Sequence, residues 1–254
     1  MPERPVNYNM GRKNVLRPVM EFVREKTNGW EYYHLPGLTA RGIVHGFFTR
    51  DCPSLLKDDE NRVFLDAFSL DRSVALCQEH GNAIHSVGPK DRPQTGDGIL
   101  LCKPGIAGII KTADCMSVVL IDPAFPMAVI VHAGWRGTLK RITSKAVDMM
   151  AERGAAPQCI TALLGPSIRG CCYTVGTEVR KAFLEKGFPD TIFHDRDGSI
   201  YLDLKDANSW LLTESRVHTV LDTGLCTFCC EDPSFASYRK GARKERQINF
   251  VGIK

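Results

Sequence analysis

The sequence lacks an apolar run of the about 20 residues that a membrane-spanning helix needs. Its N-terminus also lacks the apolar core of a secretion signal. No basic tract is interleaved with aromatic residues, and the net charge is only +4 over 254 residues. These absences argue against a membrane protein, a secreted protein and a nucleic-acid-binding protein. We expect a cytoplasmic protein with no membrane or nucleic-acid partner.

The ten cysteines lack the regular spacing of a secreted disulfide framework, which fits reduced thiols in the cytosol. Cys226 and Cys229 form one Cys-x-x-Cys pair, but a structural zinc site normally needs a second pair. The adjacent Cys171 and Cys172 are too constrained, on this interpretation, to replace it. We therefore predict reduced, partly buried thiols here, and the role of Cys226, Cys229 and Cys230 stays open.

The rest of the composition is that of a globular protein, with 43% hydrophobic and 24% charged residues. Periodicity predicts strands at 98–102, 106–111, 117–122, 127–132 and 247–253, and helices at 60–68, 138–153, 176–186 and 203–214. The first four strands follow one another through short connections, which require antiparallel neighbours. This argues against a doubly wound sheet and predicts one α+β domain with a largely antiparallel or mixed sheet core. The polar residues 1–26 predict an N-terminal arm.

Three residues that carry chemistry are predicted at the ends of strand-like segments. Cys115 closes Thr112-Ala113-Asp114-Cys115, His132 opens His132-Ala133-Gly134-Trp135-Arg136-Gly137, and His80 ends a strand that begins at residue 74. Small neighbouring residues let another group approach the backbone closely. Two imidazoles and one thiolate, with a fourth position left open, are the ligand set of an open zinc site. The same side chains could instead act as a nucleophile and base without a metal.

The surroundings of this set offer further candidates. The helix predicted from Thr138 would direct its first amide groups toward His132, an arrangement that favours an anion. Asp114 would either orient a ligand histidine or cap a turn. Arg50 follows a predicted strand and, taken alone, is a solvated strand-end arginine. The basic residues at 240–246 are interpreted as solvated surface.

Several motifs occur in the order found in one known family. They are Gly46-Phe47-Phe48-Thr49-Arg50, Gln78-Glu79-His80-Gly81, Asp97-Gly98, the two stretches around Cys115 and His132, Gly165-Pro166-Ser167-Ile168, Cys171-Cys172-Tyr173-Thr174-Val175-Gly176, Cys226-Thr227 and Ser237-Tyr238-Arg239. From about residue 41 onward the chain resembles the laccase-domain or multicopper polyphenol oxidase family. Its members are also called peptidoglycan-editing factors and FAMIN-type purine nucleoside phosphorylases.

The resemblance implies a single layered α/β sandwich, which we expect over residues 27–254. It also implies a zinc ion bound by His80, Cys115 and His132, which we take as the catalytic residues as well. Arg50 matches the family's arginine after the Phe-Thr strand, a phosphate or substrate contact, and we expect Gln78 and Arg136 to share that role. Zinc is preferred to copper as the metal, although its role stays open.

The family names describe chemistries that cannot all be native. A multicopper oxidase needs many histidines, often in His-x-His pairs, whereas this chain has seven histidines and no such pair. Phosphorolysis of a purine nucleoside needs an anion site, and deamination of adenosine needs an activated water. We therefore predict a purine nucleoside phosphorylase that also uses methylthioadenosine and deaminates adenosine, as a monomer or homodimer. The alternatives are a Cys-His hydrolase that edits a peptidoglycan precursor, a polyphenol oxidase, and a non-catalytic metal-binding protein.

Overall fold

A computed structural model describes residues 21–53, 58–88, 95–232 and 234–254 of the chain. The strands, numbered in chain order, are β1 Val23–Thr27, β2 Trp30–His34, β3 Ile43–Phe48, β4 Arg72–Ala75, β5 Ile84–Val87, β6 Gly98–Leu101, β7 Ile106–Thr112, β8 Met116–Asp122, β9 Met127–Ala133, β10 Thr161–Leu164, β11 Thr174–Val175, β12 Phe193–Arg196, β13 Ser199–Leu202, β14 Thr219–Asp222 and β15 Gln247–Ile253. The α-helices are α1 Pro36–Thr39, α2 Asp58–Phe68, α3 Trp135–Leu139, α4 Ile142–Ala151, α5 Thr177–Glu185 and α6 Leu204–Glu214. Single 3-10 turns lie at Pro157–Cys159 and Asp190–Ile192.

Within the described ranges, most strands belong to two six-stranded sheets. The first has the order β1-β2-β3-β15-β7-β4, and the second has the order β14-β10-β8-β9-β6-β5. A small third sheet has the order β11-β13-β12. Most neighbours are antiparallel, whereas β4 with β7, β5 with β6 and β10 with β14 are parallel pairs. The predicted α+β class with mixed, largely antiparallel sheets is confirmed.

The two large sheets face each other, so their central strands bury side chains on both faces. In β8, Val119 and Ile121 belong to the core between the sheets, while Val118 and Leu120 belong to the core beneath α4 and α6. This alternation follows from the two-residue period of a strand. On the outer face of the first sheet, an aromatic cluster that includes Phe64 joins α2 to the sheet. The layered sandwich implied by the resemblance is therefore present.

The short connections predicted to join antiparallel neighbours do so for one pair only. β8 and β9 form an antiparallel hairpin, as expected. However, β6 pairs with β9, and β7 pairs with β15. The connections from β6 to β7 and from β7 to β8 cross between the two sheets instead of turning back within one. Local spacing does not separate these two ways of making a short connection.

Two predicted elements have a different extent in the structure. The helix predicted over 138–153 is divided into α3 and α4, because Arg141 adopts the left-handed conformation with φ of 58°. The strand predicted to run from residue 74 to His80 ends at Ala75, so His80 lies in a loop. Both differences change how residues are presented to the site described below.

The N-terminal arm predicted for residues 1–26 lies outside the described residues up to residue 20. Residues 23–27 form β1, which pairs with β2 at the edge of the first sheet. Among the residues that the structure describes, the helices are too short or too polar to span a bilayer.

Candidate active site

The hairpin of β8 and β9 brings Cys115 and His132 together. Cys115 directly precedes β8, His132 lies near the end of β9, and the register pairs His132 with Ser117. His80 reaches the same point from the loop after β4, where its backbone is left-handed with φ of 60°. One possible ligand atom from each of the three side chains lies within 4.8 Å of the others. The structure thus gathers the three predicted ligands in one place.

A buried carboxylate, Asp97, connects the two histidines of this cluster. Its Oδ1 is 2.8 Å from His132 Nδ1 and accepts a hydrogen bond from the His80 backbone N–H at 3.0 Å. Its Oδ2 accepts a hydrogen bond from the Gly81 N–H at 2.6 Å. A carboxylate on one ring nitrogen fixes the other nitrogen as the ligand, which is the usual arrangement of a metal-binding histidine.

Charge in the cluster is concentrated on Cys115 and His132. Burial alone would raise the pKa of the Cys115 thiol, but the neighbouring His132 and hydrogen bonds with His132 and His80 lower it to about 6. Burial would lower the pKa of His132, but the Cys115 sulfur and Asp97 raise it to about 9. In the metal-free protein both shifts favour the charged pair, a Cys115 thiolate beside a His132 imidazolium. The thiolate is the form of cysteine that binds metals and attacks electrophiles.

Gly134 leaves the room that the Cys115 sulfur occupies. A Cβ on residue 134 would lie 2.6 Å from Cys115 Sγ, although the backbone φ of −69° suits any residue. We expect Gly134→Ala to displace the sulfur and weaken zinc binding by at least about tenfold, measured by competition with a chromogenic chelator. Gly37→Ala is the control, because a Cβ there meets no atom within 4 Å. Equal zinc affinity in the two variants would contradict the assignment of Cys115 as a ligand.

The cluster lies in a cavity of about 760 Å³, within the range of about 300–1,000 Å³ typical of small-molecule sites. Its other lining residues are Leu76, Cys77, Gln78, Lys111, Ala113, Asp114, Trp135, Arg136, Tyr173, Tyr238, Arg239, Lys244 and Arg246. Among these described residues, cationic side chains outnumber the single acidic one, Asp114. The cavity is therefore suited to an anionic or partly aromatic small molecule.

Two of the three predicted substrate contacts line the cavity, and the third does not. Arg136 and Gln78 line the cavity. The amide of Gln78 already bonds the Lys111 backbone twice, donating to its carbonyl at 2.8 Å and accepting from its N–H at 2.9 Å. Arg50 is not among the lining residues, and its guanidinium forms an ion pair with Glu245 at 2.6 Å.

Several cavity residues were missed in the sequence. Lys244 and Arg246 line the cavity although Lys244 is exposed and Arg246 half-buried, so the interpretation of residues 240–246 as solvated surface omits their place beside the site. Tyr173 and Arg239 also line it, and they belong to motifs that had been noted without a role. No local sequence pattern marks these residues as part of the site, because the segment before β15 reaches the cavity only through contacts between distant parts of the chain.

Asp114 bonds the loops around the cavity and not a histidine. Its Oδ1 accepts a hydrogen bond from the Thr227 hydroxyl at 2.7 Å, and its Oδ2 accepts one from the Arg239 N–H at 2.8 Å. The orienting role that the sequence offered to Asp114 is filled by Asp97. Asp114, which directly precedes Cys115, instead holds the segments of Arg239 and Thr227 beside the cluster.

The anion site expected at amides opening a helix at Thr138 does not form there. α3 begins earlier, at Trp135, and the Thr138 N–H donates to the Gly134 carbonyl at 2.8 Å within the helix. Its amide is therefore not available to a phosphate.

A second group of sulfur atoms lies beside a separate cavity of about 500 Å³. Cys171, Cys172, Cys226 and Cys229 each place Sγ within 4.8 Å of the other three. The prediction that the adjacent Cys171 and Cys172 cannot complete such a group is wrong, because a turn after β10 brings both to the Cys226 loop. All ten cysteines are free thiols, as expected.

Comparison with known proteins agrees with this arrangement of motifs. Residues 41–254 match the family model described as multi-copper polyphenol oxidoreductase laccase. The chain belongs to this family.

Relatives of this laccase family carry several names. A purine nucleoside phosphorylase of Deinococcus radiodurans is 36% identical over 187 residues, 72% of each chain. The adenosine deaminase RL5, from an unknown prokaryotic organism, is 33% identical over 185 residues, 71% of this chain and 70% of that protein. The human purine nucleoside phosphorylase LACC1 is 29% identical over 237 residues, 90% of this chain. The match spans only 54% of the human protein. The crystal structure of YlmD from Geobacillus stearothermophilus shares the laccase-family fold, with a TM-score of 0.81 over 92% of this chain and 100% of YlmD at 24% identity.

Proposed function

We propose that the protein is a purine nucleoside phosphorylase that acts on inosine, adenosine and methylthioadenosine, and that it also deaminates adenosine. The observation that carries the proposal is the single cavity that joins the His80, Cys115 and His132 cluster to cationic and aromatic side chains. Relatives named as purine nucleoside phosphorylases and as an adenosine deaminase support both activities.

The cationic residues of the cavity supply the phosphate site. Arg136, Lys244 and Arg246 line it, and both oxygens of the acidic Asp114 are already hydrogen-bonded to other residues. Clefts lined by charge of one sign concentrate the opposite ion. Phosphate therefore enters against Arg136 and its cationic neighbours.

Aromatic side chains supply the face for the purine. Tyr173, Tyr238 and Trp135 line the same cavity. Tyr238 is 49% exposed, and its ring carries the Arg243 guanidinium at 4.2 Å from its centroid. Stacking of a base on an aromatic ring contributes about 1–3 kcal/mol. This contribution is indifferent to the substituent at C6, which fits the acceptance of both inosine and adenosine.

The cluster also fits a zinc ion. Two imidazoles and one thiolate with a free fourth position match an open zinc site, and Asp97 provides the carboxylate that commonly orients a ligand histidine. His80, Cys115 and His132 would hold the ion, which when bound would supply acidity to a water molecule for deamination. Copper oxidation is less well supported, because His80 and His132 are the only histidines in this cluster of described residues.

Phosphorolysis requires the protein to orient phosphate and to hold the base. A phosphate oxygen forms a bond to C1′ while the bond from C1′ to the purine nitrogen breaks. The electron pair of that bond leaves with the base, which takes up one proton in balance with the proton that hydrogen phosphate loses as it becomes an ester. Arg136 and its cationic neighbours orient phosphate against C1′, and the tyrosines hold the base in place. Orientation of two reactants is a large part of such a rate enhancement.

The direct test incubates the purified protein with inosine, with and without phosphate. We expect hypoxanthine and ribose 1-phosphate by chromatography only when phosphate is present. Hypoxanthine formed equally without phosphate would identify a hydrolase, and no hypoxanthine under either condition would refute the phosphorylase. Adenosine without phosphate should yield inosine and ammonia, and its absence would refute the deaminase.

The two candidate phosphate arginines should behave differently. We expect Arg136→Gln to raise the KM for phosphate by about tenfold or more, because one charged contact is lost from the cavity. Arg50→Gln should leave this KM within about twofold, because Arg50 is bound to Glu245 outside the cavity lining. Initial rates at varied phosphate measure both. A larger effect of Arg50→Gln would restore the role expected from the sequence.

The cytoplasmic location and the monomeric or homodimeric state stay predictions. Size-exclusion chromatography with light scattering would measure the oligomeric state.

A further inference from the structure

Cys171, Cys172, Cys226 and Cys229 present four sulfur atoms that the proposed reaction does not use. All four lie within 4.8 Å of one another, and the Cys171 and Cys229 sulfurs are 3.7 Å apart. A tetrahedral zinc ion with zinc–sulfur bonds of about 2.3 Å separates its ligands by about 3.8 Å. Disulfides would instead draw the sulfurs together in pairs to about 2.05 Å. The spacing matches metal ligation.

Two turns hold these sulfurs in position. In the first, the Cys172 N–H donates to the Arg169 carbonyl at 2.8 Å, and in the second the Cys230 N–H donates to the Cys226 carbonyl at 3.0 Å. A parallel β-bridge between Ser167 and Cys226 keeps the turns side by side. The four cysteines are therefore fixed by backbone structure from two distant parts of the chain.

Backbone donors also surround the Cys226 sulfur. The backbone N–H groups of Cys229, Arg169 and Phe228 donate hydrogen bonds to this sulfur. Amide hydrogen bonds to sulfur are a common second layer around thiolate-bound metals. The Cys-x-x-Cys turn thus places its own amides on its first sulfur.

We propose that these four cysteines form a second metal site, a structural zinc site with four thiolate ligands. Four thiolates fill the coordination of zinc and leave no position for a substrate, as in structural sites. Each thiol releases its proton to solvent as the ion binds. Cys230 is not a ligand, because its thiol is directed to the Asp232 carbonyl at 3.6 Å.

Such a site would stabilise the wall of the substrate cavity. Thr227 follows the ligand Cys226 and donates its hydroxyl to Asp114, which precedes Cys115. Tyr173 follows the ligand Cys172 and lines the cavity. Zinc at the four cysteines would therefore fix two loops that meet at the active site without taking part in the reaction.

The test measures zinc in a His80→Ala/Cys115→Ala double variant, which lacks two ligands of the first cluster. The protein is purified under reducing conditions without chelator, and metal is counted by inductively coupled plasma mass spectrometry. We expect this variant to retain one zinc ion per chain. Adding Cys229→Ser should weaken zinc binding by at least about tenfold in competition with a chromogenic chelator. Adding Cys230→Ser, which changes a neighbouring cysteine, should leave the affinity unchanged.

A second readout identifies the ligands. Cobalt(II) added to the metal-free double variant should give the visible bands and sulfur charge-transfer absorption of a tetrahedral four-thiolate site. The proposal is overturned if the folded double variant binds neither zinc nor cobalt, or if its intact mass shows disulfides under reducing purification. Cys171→Ser, at an exposed position, replaces Cys229→Ser if that variant fails to fold. Unchanged zinc affinity in a folded Cys171→Ser variant also overturns the proposal.

Discussion

Cys115→Ala should lower kcat/KM for inosine phosphorolysis and for adenosine deamination by at least about 100-fold while the protein remains folded. The substitution removes the thiolate of the cluster and one of its three candidate metal ligands, and this cluster lines the same cavity as the phosphate and purine contacts, so both reactions lose it. It removes no member of the three hydrophobic clusters of the core. Steady-state kinetics and circular dichroism measure the two parts of this expectation.

The matched control is Cys159→Ala, which removes an exposed thiol from the 3-10 turn before β10, outside both groups of candidate metal ligands. It should leave kcat/KM and zinc content unchanged. Full activity in a folded Cys115→Ala variant that no longer binds zinc at the His80, Cys115 and His132 cluster would favour the non-catalytic metal-binding protein. That result would also remove the Cys-His hydrolase, because that reaction requires the same thiol.

The part of the site that could be predicted from the sequence depends on one hairpin. Two apolar segments separated by a short turn predict β8 and β9 as antiparallel neighbours, and the register then places Cys115 close to His132. Only the local hydrophobic pattern and the turn are needed for this step. The same reasoning succeeds for α2, α5 and α6, whose predicted ranges agree with the structure to within about two residues.

The remainder of the site depends on contacts between distant parts of the chain. His80 reaches the cluster through a left-handed backbone that Asp97 holds, and neither feature has a periodic signal. Lys244 and Arg246 enter the cavity because the segment before β15 returns to it. A β-bridge between Ser167 and Cys226, about 60 residues apart in the chain, brings Cys171 close to Cys226, which spacing rules for zinc sites do not anticipate. Sequence motifs identified most of these residues, but only the fold shows which of them meet.

Asp97 supports both histidines of the cluster, and the sequence assigned it no role. It is fully buried and accepts hydrogen bonds from the backbone N–H groups of Glu79, His80 and Gly81, in addition to its contact with His132. These bonds and the adjacent His132 outweigh the effect of burial and lower the pKa of the carboxyl group. One ionised side chain therefore sets the position of one histidine and the orientation of the other.

Asp97→Asn should lower both zinc affinity and kcat/KM by about 10–100-fold, the usual cost of losing a carboxylate behind a ligand histidine. The amide is nearly the same size, but its NH₂ group must face donors on one side, since both oxygens of Asp97 accept hydrogen bonds. This leaves a buried donor without an acceptor and should reduce the free energy of unfolding by about 1–3 kcal/mol.

Asp122→Asn provides the matched control for this substitution. Asp122 is similarly buried and also accepts a backbone hydrogen bond, from the Ala124 N–H at 2.9 Å, but it lies at the other end of β8 and outside the cavity lining. The Asp122→Asn variant should be less stable, but its zinc affinity and the kinetics of the folded protein should be unchanged. If both variants lose only stability, Asp97 supports the fold alone. If Asp97→Asn weakens zinc binding and catalysis in protein that is still folded, its carboxylate positions the histidines of the cluster.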